Sequence, residues 1–138
     1  MEHKIEKIRF LIEDHDFEDL LPVIKKFSVK AQVPLWQQVN EVSNSFVHEN
    51  WFTIVGGDPI PTAYLCGYYL SKTEFMASQL YSEDPEMTKL ILSFLEAHLR
   101  LVKVEKIIAL FKHHPRTAER HGYKVERYIM VKNLDMEV

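Results

Sequence analysis

The order of apolar and polar residues between positions 74 and 111 predicts a strand, a helix and a second strand. Phe75–Tyr81 is a short apolar run with aromatic ends, and Ser82–Pro85 is a turn and a helix start. Met87–Val102 then follows with apolar residues at helical spacing, and Ile107–Phe111 is a continuous apolar run. The helical stripe comprises Met87, Leu90, Ile91, Phe94, Leu95, Leu99 and Val102. A crossover of this length predicts a right-handed βαβ unit with parallel strands. Because ligands of such units bind beside the helix N-terminus, we expect function around residues 79 to 89.

The N-terminal part of the chain predicts a strand followed by two helices. Ile5–Ile12 alternates apolar and polar residues and predicts a strand, although a short helix is not excluded. The next helix has an apolar face formed by Phe17, Leu20, Leu21, Ile24 and Phe27. We expect Asp16 to be its N-cap, and Pro22 weakens its centre because proline suits the first turn. Pro34 starts a second helix, whose apolar residues are Leu35, Trp36, Val39 and Val42.

Residues 46 to 70 predict a β-hairpin. Phe46–Val55 is rich in β-branched and aromatic residues, and Thr62–Leu70 is an apolar return strand. Between them, Gly56–Pro59 has strong turn chemistry. A short connection, Ser71–Thr73, leads into the strand of the βαβ unit. We therefore predict a three-stranded antiparallel meander that leads directly into the βαβ unit.

The C-terminal part predicts one more helix and one more strand. His114–His121 has Pro115 in its first turn, and Gly122 follows where a helix-ending glycine belongs. Tyr123–Leu134 alternates well enough to be a single final strand. Residues 1–138 are thus expected to form one domain of the α+β class, layered α/β/α around a mixed sheet.

Composition and charge exclude several classes of function. The chain has 138 residues and a net charge of −3, so no large basic field favours nucleic acid, although a local basic patch is left open. It has no run of roughly 18 apolar residues and no signal segment, which predicts no membrane association and a cytoplasmic location. The single cysteine, Cys66, lies in an apolar strand pattern and is interpreted as a small buried residue. The histidines of the C-terminal half lack the spacing of metal ligands, so we predict no metal site.

The order of elements resembles that of the GCN5-related N-acetyltransferases (GNAT) over nearly the whole chain. Ala118–Tyr123 is similar to the Tyr-Glu-Lys-Leu-Gly-Phe type of segment before the last strand of that family. Leu80–Tyr81 and Pro85–Glu86 resemble the aromatic pair and the Pro-Glu dipeptide at the end of its fourth strand. This resemblance implies an acyl-CoA N-acyltransferase-like mixed sheet with a central βαβ unit. It also implies acetyl-CoA as the co-substrate and an amine of a small molecule or protein as the acceptor.

The same resemblance implies where the co-substrate binds. In the family, the two parallel strands part at their carboxyl ends, and the pantetheine arm pairs with the first of them. The binding residues expected from this are Gln79, Leu80, Tyr81, Met87, Thr88, Lys89, Lys112, His113 and Arg116. The catalytic residues stay unknown, with Glu49, Tyr68 and Tyr81 as candidates for proton transfer and oxyanion stabilisation. Against this, alternating tyrosines on a strand are more often half core and half surface.

Two departures from the family pattern keep a second hypothesis open. The family's Gln/Arg-x-x-Gly-x-Gly/Ala loop, which wraps the coenzyme A pyrophosphate, has no counterpart here. Instead Glu83, Asp84 and Glu86 place carboxylates at the start of the helix, where they favour the helix and oppose an anion. Ala118 stands where the family commonly has a tyrosine that protonates the thiolate. The alternative is therefore a catalytically inactive acetyltransferase-like binding or structural module, for which a homodimer is one arrangement that the sequence leaves open.

Overall fold

The computed structural model describes residues 8–109, 119–120, 122–126 and 129–134. The described helices and strands are β1 Arg9–Phe10, α1 Asp14–Ala31, α2 Leu35–Ser43, β2 Trp51–Gly56, β3 Ala63–Tyr69, β4 Glu74–Tyr81, α3 Pro85–Leu101, β5 Lys106–Ala109, β6 Lys124–Glu126 and β7 Ile129–Asn133. The strands form one seven-stranded sheet in the order β1-β2-β3-β4-β5-β7-β6. One core packs α3 against the sheet, and a second core packs α1 and α2 against it. This arrangement confirms the predicted α+β class with α/β/α layers.

The β4–α3–β5 unit has the predicted form. β4 and β5 are parallel, with pairs running from Glu74↔Lys106 to Ala77↔Ala109. The other described strand pairs are all antiparallel, which makes the sheet mixed. The buried residues of α3 are Met87, Ile91, Leu92, Leu95 and Leu99, of which Leu92 was not in the predicted stripe. The last predicted member of the stripe, Val102, follows the helix and is exposed. The unit therefore places the carboxyl end of β4 beside the N-terminus of α3.

The meander is present, but its first strand is shorter than predicted. β2 begins at Trp51, whereas Asn44–Phe46 forms a 3₁₀ turn. The amides of Val47 and His48 both donate to the carbonyl of Asn44 at 3.0 and 2.8 Å, so this segment is engaged in local bonds rather than in a ladder. β-propensity alone cannot detect such local bonding. Gly57 in the β2–β3 turn has φ +117°, a conformation that favours glycine.

Helix α1 runs through Pro22, contrary to the weakening predicted there. The helix spans Asp14–Ala31 and contains Pro22 well beyond its first turn. An interior proline costs about 3 kcal/mol because it removes one hydrogen bond and crowds the preceding turn. Leu20, Val23 and Ile24 are buried around it. At about 1.5–3 kcal/mol for each buried side chain, this burial outweighs the cost of the proline.

Asp16 is not the N-cap of α1, which corrects the sequence-based expectation. The N-cap position is Glu13, and Asp16 lies in the first turn of the helix. The Asp16 carboxylate is buried and accepts two hydrogen bonds from Arg9, at 3.0 Å from Nε and 2.9 Å from the second guanidinium nitrogen. This bidentate pair lowers the pKa of Asp16. Arg9 also donates to the carbonyl of Gly57 at 2.9 Å, so one side chain connects β1, α1 and the β2–β3 turn.

The prediction of a single strand over Tyr123–Leu134 is wrong, because two strands occupy this segment. β6 and β7 form an antiparallel pair, and β7 also pairs with β5. Since β5 is apolar, a free edge on it would be costly, and β7 covers that edge. Gly122 has φ +89°, and its amide donates to the carbonyl of Glu119 at 3.0 Å, as expected for a helix-ending glycine.

Several sequence-based predictions fall partly outside the described residues. For the predicted helix His114–His121, only Glu119 and Arg120 are described, and both are helical. The predicted strand Ile107–Phe111 is described as far as Ala109. At the N-terminus, the described strand is limited to the two residues of β1, which pair with β2.

An aromatic cluster on the α3 side of the sheet includes a histidine. The ring of His98 lies 4.9 Å from that of Phe10 and 5.3 Å from that of Phe52, and its Nε2 is 3.3 Å from the hydroxyl of Tyr69. Burial lowers the pKa of His98 from its ordinary value of 6.5. At a pH between the lowered pKa of His98 in the folded chain and its ordinary pKa in the unfolded chain, the unfolded chain binds a proton that the folded chain does not.

This cluster makes stability dependent on pH. Because the unfolded state binds more protons, the free energy of unfolding should fall as the pH decreases below about 6.5. We expect a His98→Gln variant to have a flatter dependence over this interval, measured by urea denaturation at a series of pH values. A His48→Gln variant, altered at an exposed position, should keep the wild-type slope. Identical slopes for the wild-type protein and His98→Gln would contradict the assignment.

Candidate functional site

A β-bulge interrupts β4 in the middle of the sheet. Cys66 of β3 pairs with Gln79, but the next residue, Gly67, pairs with Ala77. Ser78 is therefore the extra residue on β4, and its hydroxyl donates to the carbonyl of Cys66 at 3.2 Å. A bulge of this kind reverses the side-chain alternation of the strand beyond it.

The reversal sends the two halves of β4 to opposite layers. Before the bulge, Phe75 and Ala77 belong to the core under α3. After it, Tyr81 belongs to the core under α1 and α2, and Gln79 hydrogen-bonds to α2. Leu80 packs on the α3 side. The carboxyl half of β4 thus contacts both helical layers.

A narrow cleft lies at this end of β4. The last β4–β5 pair that the structure describes is Ala77↔Ala109, and β4 continues beyond it to Tyr81. The cleft has a volume of about 50 Å³ and runs along Ala77–Leu80, with Ala109 beside it. Phe27 of α1, Leu65 of β3, Leu92 of α3 and Tyr123 complete its lining. The cleft is therefore slim and mostly apolar, with strand backbone along one wall.

Gln79 lines the cleft, but its side chain is committed to the protein interior. The residue is 2% exposed. Its Oε1 accepts from the Tyr64 hydroxyl at 2.6 Å, and its Nε2 donates to the Gln38 carbonyl at 3.2 Å and to Glu41 Oε1 at 2.9 Å. Since both the donor and the acceptor end of the amide are used, a ligand here would meet the backbone of Gln79 rather than its side chain.

Tyr81 is buried, and its hydroxyl donates to the carboxylate of Glu83. Burial, together with this carboxylate, raises the pKa of Tyr81 to about 12. Lys26 lies 3.8 Å from Glu83, and Lys30 lies 5.9 Å from the centre of the Tyr81 ring. At neutral pH the phenol is protonated, so Tyr81 can donate a proton in a hydrogen bond but cannot act as a base.

Glu49 and Tyr68 lie at the opposite end of the sheet. Tyr68 pairs with Met76, near the start of β4, whereas Tyr64 pairs with Tyr81 at its end. Four residues of extended strand separate the two tyrosines of β3 by about 13 Å. Glu49 is exposed and immediately precedes β2 at that far end. The structure therefore does not bring these two candidates together with Tyr81.

The N-terminus of α3 offers an anion few backbone amides. Pro85, the first helical residue, has no N–H, and the amide of Glu86 donates to the Asp84 carboxylate at 3.0 Å. Ser82 and Asp84 also bond to each other through the Ser82 hydroxyl, which keeps the β4–α3 connection short. A carboxylate thus already occupies the position at which helix N-termini bind phosphate.

The other predicted binding residues of α3 differ in their surroundings. Met87 is buried, and its Sδ would lie 2.6 Å from a Cβ added to Gly56, so it is a core residue. Thr88 is half-buried and its hydroxyl donates to the carbonyl of Asp84 at 3.3 Å. Lys89 is exposed and available to a ligand. The remaining predicted residues, Lys112, His113 and Arg116, lie outside the described residues.

Sequence reasoning missed the contribution of α2. Gln38 and Glu41 connect this helix to β4 through Gln79, and Gln38 is itself buried. One signal was present in the sequence, because Gln38 precedes the buried Val42 by four residues and so lies on the same helical face. A glutamine on the core side of a helix indicates a polar partner across the core.

The described residues do not supply a set of metal ligands or a reactive thiol. In the described ranges, no group of three or more His, Cys, Asp or Glu side chains is placed to hold a metal ion. Cys66 is fully buried, and burial raises the pKa of its thiol to about 12, so it is a weak nucleophile. Among the same residues, no helix is long and apolar enough to cross a membrane.

Comparison with solved structures identifies the architecture. The chain superposes on Tetrahymena GCN5 with a TM-score of 0.75 and 12% identity, covering 95% of this chain and 98% of that one. For an acetyltransferase of the GNAT family from Desulfovibrio desulfuricans, the TM-score is 0.76 with 12% identity, over 93% and 98% of the two chains. The chain has the GNAT fold.

A third similar structure is that of an aminoglycoside 6'-acetyltransferase of type Ii, with a TM-score of 0.76, 10% identity, and coverage of 95% of this chain and 99% of that one. No protein-family model and no curated protein matches the sequence. At these identities the likeness establishes the GNAT fold, and the activity must be argued from the residues of this chain.

Proposed function

We propose that the chain is an acyltransferase that moves an acyl group from a thioester donor, for example acetyl-CoA, to an amine. The observation that carries this proposal is the cleft along Ser78–Leu80, which Phe27 of α1, Leu92 of α3 and Ala109 of β5 line from the other sides. A slim apolar cleft with strand backbone on one wall suits the amide-containing arm of an acyl-pantetheine, which pairs as an added strand would.

The bulge suits the chemistry of acyl transfer. When an amine attacks a thioester, negative charge develops on the carbonyl oxygen, and preorganised N–H donors lower that barrier. Ser78 has no partner in the register of β3, so its backbone is turned out of the regular ladder beside the cleft. We assign the backbone from Ser78 to Leu80 to holding the arm and its acyl carbonyl.

The parts of acetyl-CoA do not fit equally well. The arm matches the cleft, whereas the pyrophosphate would approach Glu83, Asp84 and Pro85 at the start of α3. Lys89 is exposed near that helix end, and Lys112, His113 and Arg116 stay predicted contacts on the facing side. The acceptor is an amine of a small molecule or of a protein, and the cytoplasm is the expected location for such a reaction.

Filling the cleft should weaken donor binding. Ala109 is buried and lines the cleft, so an Ala109→Leu variant places a larger side chain in the path of the arm. We expect the dissociation constant of S-acetylpantetheine, measured by calorimetry, to rise at least about tenfold. Ala97→Leu, the same change at an exposed position of α3, should leave it unchanged. Thermal melting of both variants checks that they are folded, since overpacking costs about 1–3 kcal/mol.

Turnover is tested separately with a panel of amines, by following thiol release from S-acetylpantetheine and acetyl-CoA. Release that depends on both the donor and an amine supports the proposal. If neither donor binds or turns over in the wild-type protein, acyl transfer is excluded. The capping of α3 by Asp84 favours a second candidate for that case, a GNAT-fold module without catalysis that binds another protein or a second copy of the chain. Sedimentation equilibrium of the purified chain distinguishes a second copy of the chain from another protein as the partner.

A further inference from the structure

Glu41 of α2 is half-buried, contacts a residue that lines the cleft, and has no cationic partner among the described residues. None of the ion pairs between described residues includes Glu41. Its Oε1 accepts from Nε2 of Gln79 at 2.9 Å, and Gln79 lines the cleft. Glu41 is therefore one hydrogen bond away from the cleft wall.

The orientation of this carboxylate is fixed by fully buried groups. Tyr64 and Gln79 are buried, and the hydroxyl of Tyr64 holds Oε1 of Gln79 at 2.6 Å. That contact, together with the Gln38 carbonyl at 3.2 Å from Nε2, determines which end of the Gln79 amide faces α2. A side chain held at three points has a single orientation, so Nε2 presents one N–H to Glu41 in a defined direction.

Gln79 satisfies only part of the hydrogen-bonding capacity of Glu41. An ionised carboxylate has about four lone-pair positions, and the described hydrogen bonds of the Glu41 carboxylate occupy one of them. Because Glu41 is only half-buried, solvent and solutes can reach part of the residue. A protonated amine supplies both the positive charge and up to three N–H donors.

We propose that Glu41 binds the ammonium group of the acceptor amine on the α2 side of the cleft. That the cation is the acceptor rests on the proposed acyl transfer, whereas the binding of an ammonium group rests on the Glu41–Gln79 geometry alone. Glu41 is thus assigned to acceptor recognition, and the acceptor class is a cationic primary amine.

Binding is tested without any donor, using butane-1,4-diamine and spermidine as probes in a nuclear magnetic resonance titration at low salt. We expect both to shift the amide signals of Gln79 and its neighbours in the wild-type protein, and butane-1,4-diol, of the same length without charge, to shift none. Glu41→Gln removes the charge but keeps an oxygen that accepts from Gln79. We expect it to weaken the binding of both amines by about tenfold.

Matched controls separate recognition from structure and from net charge. Glu49→Gln removes an exposed charge at the far end of the sheet and should bind the amines as the wild-type protein does. Equal affinities for the wild-type protein and Glu41→Gln, or no shift in the wild-type protein, overturn the assignment of Glu41. If the amines bind through Glu41 but no acyl transfer occurs with any donor, acyl transfer fails and the ammonium site stands.

Discussion

Replacing Leu95 with alanine should lower the free energy of unfolding by about 2–5 kcal/mol, the cost of deleting a buried leucine side chain. Leu95 has 0% exposure and lies at the centre of the α3 stripe, within the core shared with β2 to β5. The loss combines the transfer of apolar surface with a cavity that the surrounding side chains only partly refill. The upper part of the range applies if the sheet prevents α3 from moving inward.

The same helix offers a matched control. Leu101, at the end of α3, is 80% exposed, so Leu101→Ala removes the same atoms without opening a cavity. Urea denaturation of the two variants should give equal slopes but very different midpoints. A loss below about 1 kcal/mol for Leu95→Ala would show that α3 does not pack as described.

The βαβ unit was predictable because its determinants are local. The apolar stripe of α3 repeats at helical spacing, Asp84 and Pro85 mark its start, and β4 and β5 are short apolar runs. The crossover length then leaves little choice in strand direction. The structure confirms each of these steps over the described residues, and the two strands and the helix begin one or two residues earlier than predicted.

Features that depend on distant residues were not predictable. The continuation of α1 past Pro22 rests on burial against the sheet, and the displacement of Asp16 from the cap rests on a bidentate pair with Arg9. The two strands at the C-terminus depend on the need of β5 for a neighbour. In each instance a tertiary contact overrides a local preference, which no window of the sequence contains.

One part of the candidate site was likewise predictable from the sequence, and another part was not. That the carboxyl end of β4 would be the region of interest followed from the strand–helix–strand pattern. The bulge at Ser78 did not, because a single extra residue shows in the register of β3 and not in the composition of β4. The role of Glu41 likewise depends on Gln79, a residue 38 positions away along the chain.

Acetyl-CoA should bind the wild-type chain weakly, and removing two carboxylates should strengthen its binding. The pyrophosphate would approach the start of α3, where Pro85 has no N–H and Asp84 already accepts from the amide of Glu86. Glu83 and Asp84 place two negative charges where the dianionic pyrophosphate would approach, and these like charges repel it. Exposure and salt weaken this repulsion severalfold without removing it.

The double variant Glu83→Ser/Asp84→Ser tests this while keeping a cap on α3, and thermal melting checks the loss of the Glu83 contacts with Tyr81 and Lys26. Serine is itself a good N-cap, so the hydroxyl introduced by Asp84→Ser can still accept from the amide of Glu86, while the negative charge is lost. We expect the dissociation constant of acetyl-CoA, measured calorimetrically at low salt, to fall about tenfold relative to the wild-type protein. S-acetylpantetheine, which lacks the pyrophosphate, should bind both proteins equally.

Two further measurements identify the cause as local charge. Glu49→Ser/Glu105→Ser removes two exposed charges near the opposite end of β4, so it changes net charge equally and should leave acetyl-CoA affinity near that of the wild-type protein. Raising the salt concentration should strengthen acetyl-CoA binding to the wild-type protein, because screening weakens repulsion, whereas binding at an ordinary phosphate site weakens with salt. A micromolar dissociation constant for the wild-type protein that the Glu83→Ser/Asp84→Ser change does not alter would refute the repulsion. Coenzyme A itself, rather than a donor without a pyrophosphate, would then be the ligand that the β4–α3 connection accommodates.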